Sequence, residues 1–337
     1  MNRQIAELGR RTLGGEPLDR AEALLLVEQG RRRPHELLYW AHRVREANFA
    51  SAVKLCSIVP GKLGGCSEDC SWCAQSSACA AGTPPTRTGA EEILAAAHQA
   101  ARQGACSFGI VNSGRRPSRR DIAEVTAACR KIRDELGESI EICASLGEIA
   151  AGQAAALAAA GIVRYNHNLE TSRRFYGRVV STHGYDDRLG SLAAAREAGM
   201  SLCCGGIFGL GESWDDRVDL ALTLRDEVHP DVVPLNFLHP IPGTPLEKAR
   251  PLAPMEILSI IAVFRLVLPR VDLKVAGGRE VNLRDMQSWI FHAGATSCLI
   301  GNYLTTQGRP AEEDLQMIAD LGLAVVKELP TRAGSTR

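Results

Sequence analysis

The sequence predicts an α/β fold of the TIM type, a (β/α)8 barrel with an N-terminal helical extension and a C-terminal helix. Eight short runs rich in Val and Ile recur along the chain, as is typical of strands buried on both faces. Stretches dense in Ala, Leu, Glu and Arg separate most of these runs and favour helices. A length of 337 residues accommodates one barrel of about 250 residues with extensions at both ends.

The elements follow one another in the order that such a barrel requires. Residues 1–50 are helical in pattern and are expected to pack outside the barrel, which we predict to span 51–325. A helix over 311–321 closes it, and 326–337 form a C-terminal tail. The predicted strands are 52–59, 107–111, 139–145, 163–170, 200–208, 231–239, 271–277 and 297–301.

Composition points to a small-molecule site. The 39 basic residues cancel the 39 acidic ones, so no net field attracts nucleic acid or an anionic membrane. The apolar run 257–269 is shorter than the roughly 18 residues of a membrane span, and it contains Arg265. The N-terminus lacks the apolar core of a signal peptide, which predicts a cytoplasmic protein. In that reducing compartment the 11 cysteines are expected to be metal ligands or redox groups, not disulfides.

Polar residues collect on the predicted strands or directly after them. Barrel enzymes build their sites where the strands end, and buried polar groups without partners are costly. The pattern therefore predicts an active-site cavity. The residues concerned are Cys66, Cys70 and Cys73 after strand one, Cys143 on strand three, Asn166, Asn168 and Glu170 on strand four, Cys203 on strand five, Asn236 on strand six, and Arg279 after strand seven.

The stretch CSEDCSWCAQS places three cysteines, Cys66, Cys70 and Cys73, within eight residues. Three thiolates on a four-iron cluster leave one iron open for a ligand. The CxxxCxxC spacing resembles the signature of the radical S-adenosylmethionine superfamily. That resemblance implies a catalytic [4Fe-4S] cluster whose open iron binds S-adenosylmethionine, which is then split into methionine and a 5′-deoxyadenosyl radical. A zinc site that borrows Cys79 as a fourth ligand is the alternative.

Further motifs narrow the resemblance. The run GIFGLGE resembles the glycine-rich element that accommodates the adenosyl part of the cofactor, which implies contacts at Gly206 and Gly209. With YNHNLETS, PLNFLHPIPGTPL, GGREVNLR and GNYLTT, the set is similar to the biotin synthase family from about residue 52 to the last helix. The resemblance implies radical insertion of sulfur into dethiobiotin, with an auxiliary iron–sulfur cluster as the sulfur source.

Residue roles follow from the same resemblance. Asn168 and Glu170 are expected to contact the ribose hydroxyls of the cofactor, although the family usually has Asp where Glu170 stands. Arg188 is expected near the cofactor's carboxylate. Asn166 and Asn236 are expected to hydrogen-bond the ureido group of dethiobiotin, whose polar edge suits amide donors and acceptors.

The auxiliary cluster departs from the family pattern. Cys143, Cys203 and Arg279 match three of its ligands, but the fourth, a cysteine on strand two, falls at Gly109. We predict that Cys56 on strand one substitutes for it. Its cluster is then either of the [2Fe-2S] type or remodelled.

Cys106 is the competing substitute for the missing ligand. It lies three residues before Gly109, so the two-residue alternation of a strand turns it to the opposite face. Cys56 has no such conflict, because side chains of adjacent strands can converge on one barrel lumen.

Partners and alternatives complete the hypothesis. The resemblance implies a flavodoxin or ferredoxin electron donor and a homodimer. A related radical barrel enzyme, similar to hydrogenase maturases or methylornithine synthase, is the second hypothesis. A non-catalytic metal-binding module is the third.

Overall fold

The computed structural model describes residues 2–330 and contains a closed barrel of eight parallel strands, as the sequence predicts. The strand order is β10-β9-β8-β6-β5-β4-β3-β1, and β10 pairs with β1 to close the ring. The strands are β1 (Ala52–Leu63), β2 (Thr86–Arg87), β3 (Ser107–Asn112), β4 (Glu141–Ser145), β5 (Arg164–Asn166), β6 (Ser201–Cys203), β7 (Gly206–Phe208), β8 (Val232–Phe237), β9 (Asp272–Val275), β10 (Ser297–Leu299) and β11 (Ala324–Val325).

Helices surround this barrel and precede it. A π-helical turn, Leu224–Val228, and a 3-10 turn, Arg284–Met286, complete the regular structure of the described residues. The α-helices are α1 (Arg3–Gly14), α2 (Arg20–Arg32), α3 (Pro34–Phe49), α4 (Ala90–Arg102), α5 (Arg119–Leu136), α6 (Ala151–Ala159), α7 (Arg173–Tyr176), α8 (Tyr185–Glu197), α9 (Trp214–Thr223), α10 (Pro254–Val267), α11 (Arg279–Leu283), α12 (Trp289–His292) and α13 (Ala311–Asp320).

The predicted strands differ from the observed ones at their ends, and two of them are broken or cut well short. The run 200–208 is broken into β6 and β7, because Gly205 lies so close to β8 that a Cβ there would stand 2.0 Å from the Pro234 carbonyl oxygen. The run 163–170 keeps strand geometry only over β5, and the chain then turns through Glu170 at a φ of 70°. Both irregularities lie at the end of the barrel where a site is expected.

The N-terminal helices pack on the outside of the barrel against α10. Every residue of 257–267 in α10 is buried, because the barrel covers one side of this helix and α2 and α3 cover the other. Arg265 is fully buried within it and donates hydrogen bonds to carbonyl oxygens, including that of Gly294 at 2.8 Å. The apolar run is thus a core helix, and no helix within 2–330 combines the length and apolarity needed to cross a bilayer.

The end of the chain returns to the beginning of the barrel. The predicted helix over 311–321 is confirmed as α13, and β11 then pairs in parallel with the first residues of β1. Of the predicted tail 326–337, residues 331–337 lie outside the described part of the chain.

Candidate active site

Two adjoining cavities open at the carboxyl ends of the barrel strands. The smaller, about 260 Å³, is lined by Cys66, Cys70 and Cys73. The larger, about 360 Å³, extends into the barrel, and Cys203 lines it. The walls of both cavities include Cys73 and Asn166, so the two spaces form one continuous site.

The three predicted cysteines lie on the loop that follows β1, and their thiols share the smaller cavity. The loop is held closed because the Cys66 N–H donates to the Gln75 carbonyl at 3.1 Å and the Cys73 N–H donates to the Cys70 carbonyl at 2.9 Å. Burial raises the pKa of the Cys70 thiol to about 12 and also raises the pKa of Cys73. The free thiols of Cys70 and Cys73 therefore keep their protons, which metal binding would release.

Cys79, the fourth ligand of the zinc alternative, does not join them. Its Sγ donates to the carbonyl oxygens of Ser76 at 3.3 Å and Cys73 at 3.5 Å, and it does not line the cavity. Within 2–330 no three His, Cys, Asp or Glu side chains surround a single ion position. Ligands of a multi-iron cluster bind different iron atoms and stand further apart. Three thiols without a fourth fit an iron–sulfur cluster with one open corner.

Four buried polar atoms on side chains of the smaller cavity lack a hydrogen-bond partner among the described residues: Asn112 Oδ1, His167 Nε2, Asn166 Oδ1 and Glu170 Oε2. Asn166 Oδ1 and Glu170 Oε2 are both buried and unpaired, although both side chains line this cavity. Burial raises the pKa of Glu170, an effect partly opposed by the Arg188 guanidinium 3.6 Å away. A buried acceptor left unsatisfied costs about 1–3 kcal/mol, so both atoms are suited to accept hydrogen bonds from a polar ligand.

Arg188 forms part of the wall beside them. Its Nε donates to Tyr176 Oη at 2.6 Å, its Nη1 to the Asn168 carbonyl at 2.7 Å, and its Nη2 to His183 Nε2 at 2.9 Å. A guanidinium has five N–H groups, so two remain for an anionic ligand. Asn168 lines the same cavity, and its Oδ1 accepts from the Gly205 N–H at 3.1 Å.

Neither predicted glycine lines the cavity, and both shape the backbone behind it. A Cβ at Gly206 would stand 2.5 Å from the Glu170 carbonyl oxygen, and that carbonyl accepts from the Ile207 N–H at 2.8 Å. Gly209 has a φ of 97°, a conformation that L side chains rarely adopt. Gly206 thus helps to fix the position of Glu170, whereas the Gly209 N–H donates to the Glu212 carboxylate at 3.0 Å.

Asn236 lines the larger cavity and also connects two strands. Its Nδ2 donates to the Gly206 carbonyl at 3.1 Å, and its Oδ1 accepts from the Gly277 N–H at 2.9 Å. One N–H and one lone pair of the amide remain for a ligand.

Deeper in the barrel, Cys56, Cys143 and Cys203 surround a buried lysine, Lys274. The Lys274 Nζ lies 3.5 Å from Cys203 Sγ, and Arg164 Nη1 lies 3.8 Å from Cys143 Sγ. Burial lowers the pKa of Lys274, but Cys203, Cys56 and Cys143 raise it, and the net shift is upward. The structure thus brings the three predicted thiols together.

Cys56 and Cys106 differ in their hydrogen-bond partners. Cys56 faces the lumen, where its Sγ accepts a hydrogen bond from Ser107 Oγ at 2.9 Å. The Cys106 thiol donates a hydrogen bond to the Leu55 carbonyl oxygen at 3.2 Å. Cys106 also lies within electrostatic reach of Cys56, Lys54 and Glu141, so the choice of Cys56 as the substitute for the ligand missing at Gly109 stays a prediction.

Arg279 is not part of this group, which corrects the predicted ligand set. It is fully buried on α11, and its guanidinium donates to both carboxylate oxygens of Asp314, at 2.7 and 2.8 Å, and to the Leu299 carbonyl at 3.3 Å. The GGRE motif was the reason that Arg279 was predicted as a ligand of the auxiliary cluster. Residue alternation along β9 turns Asp272 and Lys274 into the lumen, and this pattern could have predicted Lys274 as a residue of the site.

A charged layer that sequence reasoning missed lies below the thiols. Lys54 and Arg164 both contact Glu141, at 3.4 and 2.9 Å, and Thr296 Oγ1 donates to Asp272 at 2.7 Å. With Lys274, three cations thus meet two carboxylates in the lumen. This excess of positive charge suits an anionic group bound to the thiols.

The parallel barrel with three thiols at its open end defines a radical S-adenosylmethionine enzyme, and residues 62–224 match the family described as "Radical SAM superfamily". Residues 234–324 match the "Biotin and Thiamin Synthesis associated domain". Biotin synthase from Geotalea uraniireducens (strain Rf4) is 46% identical over 96% of this chain and 98% of that protein. Biotin synthase from Geobacter sulfurreducens is 48% identical, covering 94% and 96%. The chain belongs to the biotin synthase family.

Solved structures of related enzymes share the fold. Methylornithine synthase superposes with a TM-score of 0.81 at 21% identity, covering 95% of this chain and 97% of that one. HydG, a maturase of the [FeFe]-hydrogenase, gives a TM-score of 0.82 at 16% identity, with coverage of 96% and 75%. At these identities the likeness shows the barrel architecture alone.

Proposed function

We propose that this protein inserts sulfur into dethiobiotin to form biotin. One observation carries the proposal: a cavity of about 360 Å³ has Cys73 of the first thiol group in its wall and Cys203 of the second group deeper in the barrel. A substrate in that space reaches both groups. Family membership supports the same reaction, since the relatives are biotin synthases over nearly their full length.

The two thiol groups fit the two clusters that the family implies. Cys66, Cys70 and Cys73 would hold a [4Fe-4S] cluster, which with S-adenosylmethionine supplies the radical that abstracts hydrogen from the substrate. A second cluster would be held by the buried thiols. Its type, [2Fe-2S] or remodelled, is part of the proposal, as are its ligands Cys56, Cys143 and Cys203.

The surrounding cations suit this buried site. We place Lys274, not Arg279, as the cation beside the buried thiols. The Lys274 ammonium lies next to Cys203, whereas Arg279 is bound to Asp314. Arg164 approaches the group from the side of Cys143. Buried thiolates need such compensation, since an isolated buried charge is strongly disfavoured.

The cofactor and the substrate meet different side chains. Glu170 Oε2 is suited to accept hydrogen bonds from ribose hydroxyls, while Arg188 has free N–H groups for a carboxylate. Asn166 Oδ1 lies between the cavities and is suited to accept from an N–H of the ureido ring, with Asn236 on the far wall. Asn168 places its carbonyl against Arg188 and its amide beside the ribose site.

The wall of the larger cavity suits the hydrocarbon part of dethiobiotin. Ile58, Ile207, Phe237 and Leu299 line it, so an alkyl chain displaces water from apolar surface there. Excluding water also keeps a carbon radical away from other hydrogen donors.

The deciding experiment uses anaerobically reconstituted protein. Iron, acid-labile sulfide and Mössbauer spectra count and type the clusters, and incubation with dethiobiotin, S-adenosylmethionine and reductant should yield biotin and 5′-deoxyadenosine. Cofactor cleavage without biotin or its monothiol precursor would favour a related radical barrel enzyme. Zinc in place of iron would favour a metal-binding module.

Several accompanying hypotheses belong to the same proposal. A flavodoxin or ferredoxin is the proposed electron donor, the proposed assembly is a homodimer, and the proposed location is the cytoplasm. The division into an extension over 1–50, a barrel over 51–325 and a tail over 326–337 is also part of it.

A further inference from the structure

The loop that carries the three cysteines is fastened to the segment between α7 and α8. The Asp69 carboxylate accepts from the backbone N–H groups of Ser181 at 3.0 Å and Thr182 at 3.2 Å. The Ser71 N–H donates to the Val179 carbonyl at 3.0 Å. Two segments more than 100 residues apart in sequence therefore hold one conformation together.

A buried histidine continues this contact toward the cavity. His183 Nδ1 lies 2.7 Å from Glu68 Oε2, and its Nε2 lies 2.9 Å from Arg188 Nη2. The side chains of His183 and Glu68 are only 6% and 8% exposed. Glu68 stands between Cys66 and Cys70, so the contacts run from the cysteine loop to the cavity wall.

Hydrogen-bond chemistry fixes the form of this imidazole. Arginine can only donate, so His183 Nε2 must accept, and the proton must reside on Nδ1, from which it is donated to Glu68. Burial and the Arg188 charge lower the pKa of His183, while Glu68 opposes the shift, and the net effect keeps the ring neutral. Of the two tautomers, only the one with the proton on Nδ1 satisfies both partners.

We propose that His183 is a positioning residue: anchored by Glu68 of the cysteine loop, it fixes the orientation of the Arg188 guanidinium for binding the cofactor's carboxylate. The inference rests on the proposed function, in which Arg188 contacts S-adenosylmethionine. His183 lies outside the motifs that resemble the biotin synthase family.

The hydrogen bonds of Arg188 explain why its third acceptor, His183, is needed to orient the guanidinium. Tyr176 and the Asn168 carbonyl hold Nε and Nη1, so His183 is the partner that defines the position of Nη2. A planar group held at all three nitrogens presents its remaining N–H groups in one direction. Without His183 the guanidinium can tilt toward Glu170, 3.6 Å away, and its remaining N–H groups then no longer point toward the ligand.

Two amide variants separate the two contacts of His183. In His183→Gln the side-chain oxygen can reach the place of Nε2 and accept from Arg188, but no atom of residue 183 donates to Glu68, whose other donors Thr182 and Ser67 remain. In His183→Asn the amide nitrogen takes the place of Nδ1 and donates to Glu68, but no atom reaches Arg188. Both are neutral and polar, so each controls for the loss of the ring in the other.

The measurement is S-adenosylmethionine affinity by equilibrium dialysis on anaerobically reconstituted protein, together with KM and kcat for cofactor cleavage. His183→Asn should weaken binding about tenfold or more, the loss of a hydrogen bond to a charged group, and raise KM. His183→Gln should bind within about threefold of the wild type if Arg188 orientation is the cause. Iron content and thermal unfolding verify that all three proteins fold and load equally.

The outcomes distinguish this inference from the proposed function. Equal affinity for both variants and the wild type, or a larger loss in His183→Gln than in His183→Asn, overturns the positioning role and leaves the proposed function intact. Wild-type protein that carries iron yet binds no S-adenosylmethionine overturns the proposed function, and the inference falls with it.

Discussion

Replacing Asp314 by Ala should destabilise the protein strongly without removing a cluster ligand. Asp314 and Arg279 are both fully buried, and the carboxylate accepts two hydrogen bonds from the guanidinium, at 2.7 and 2.8 Å. Asp314→Ala leaves the buried guanidinium with the Leu299 carbonyl, at 3.3 Å, and Glu280, at 3.5 Å, among its remaining contacts. It also removes the carboxylate that Arg309 contacts at 3.4 Å.

The size of the effect follows from the burial of the pair. Breaking a buried ion pair by removing one partner typically costs about 3–5 kcal/mol, because the remaining charge stays desolvated. Glu280 is 22% exposed and compensates only in part, so we expect a loss of about 3 kcal/mol in the free energy of unfolding. The double variant Arg279→Met, Asp314→Leu removes both charges and should recover most of that loss.

Urea unfolding of the metal-free protein, followed by circular dichroism, measures these free energies. The double variant, reconstituted anaerobically, should retain the iron and sulfide content of the wild type. A loss below about 1 kcal/mol in Asp314→Ala, the size of an exposed ion pair, would refute the buried-pair reasoning. If a stable double variant lost auxiliary-cluster iron, the original assignment of Arg279 as a cluster ligand would be supported.

The remaining predictions concern the site itself. Cys70→Ala should abolish S-adenosylmethionine cleavage, with Cys79→Ala as the matched control that retains it; near-native cleavage by the former would contradict the three-thiol assignment. Lys274→Met should lower auxiliary-cluster iron and sulfide, since the buried thiolates lose their nearest cation, while Lys274→Arg retains more; equal content in both would show that the charge is dispensable. Asn236→Ala should weaken dethiobiotin binding by about 1–3 kcal/mol and leave S-adenosylmethionine affinity unchanged in parallel titrations, whereas equal losses would make Asn236 purely structural. Burial holds the pKa of His167 well below 6.5, so only the unfolded chain takes up a proton as the pH falls through about 6.5. Its contribution to stability is present above that pH and declines below it by about 1.4 kcal/mol per pH unit. Urea unfolding at pH 7.5 and 5.5 should show a smaller decline for His167→Asn, and an identical decline would assign the effect to other groups.

The sequence predicted the barrel because its strands are local patterns. Each buried run can be identified on its own, and eight of them alternating with helices leave few arrangements. The lumen position of Cys56 was also predictable, because alternation along a strand depends only on neighbouring residues. The break between β6 and β7 was not predictable, since it depends on the contact of Gly205 with Pro234, which belongs to β8.

The polar contacts of the site were less predictable for the same reason. His183 and Glu68 are 115 residues apart, and no periodicity connects them. Arg279 was assigned to the cluster because a motif reports that a residue matters but not where its side chain lies. Its partner Asp314 lies on α13, 35 residues further along the chain, and no local pattern connects the two.

The position of α10 has a consequence for the order in which the chain is synthesised. The N-terminal helices leave the ribosome first, but α10, the surface against which α3 packs, begins about 200 residues later. Until then the faces of α2 and α3 that contact α10 lack that partner, although the three N-terminal helices can pack against one another. Contacts between segments so distant in sequence form slowly. The nascent chain therefore carries exposed hydrophobic helices throughout synthesis of most of the barrel, a period in which chaperones are the natural protection against aggregation.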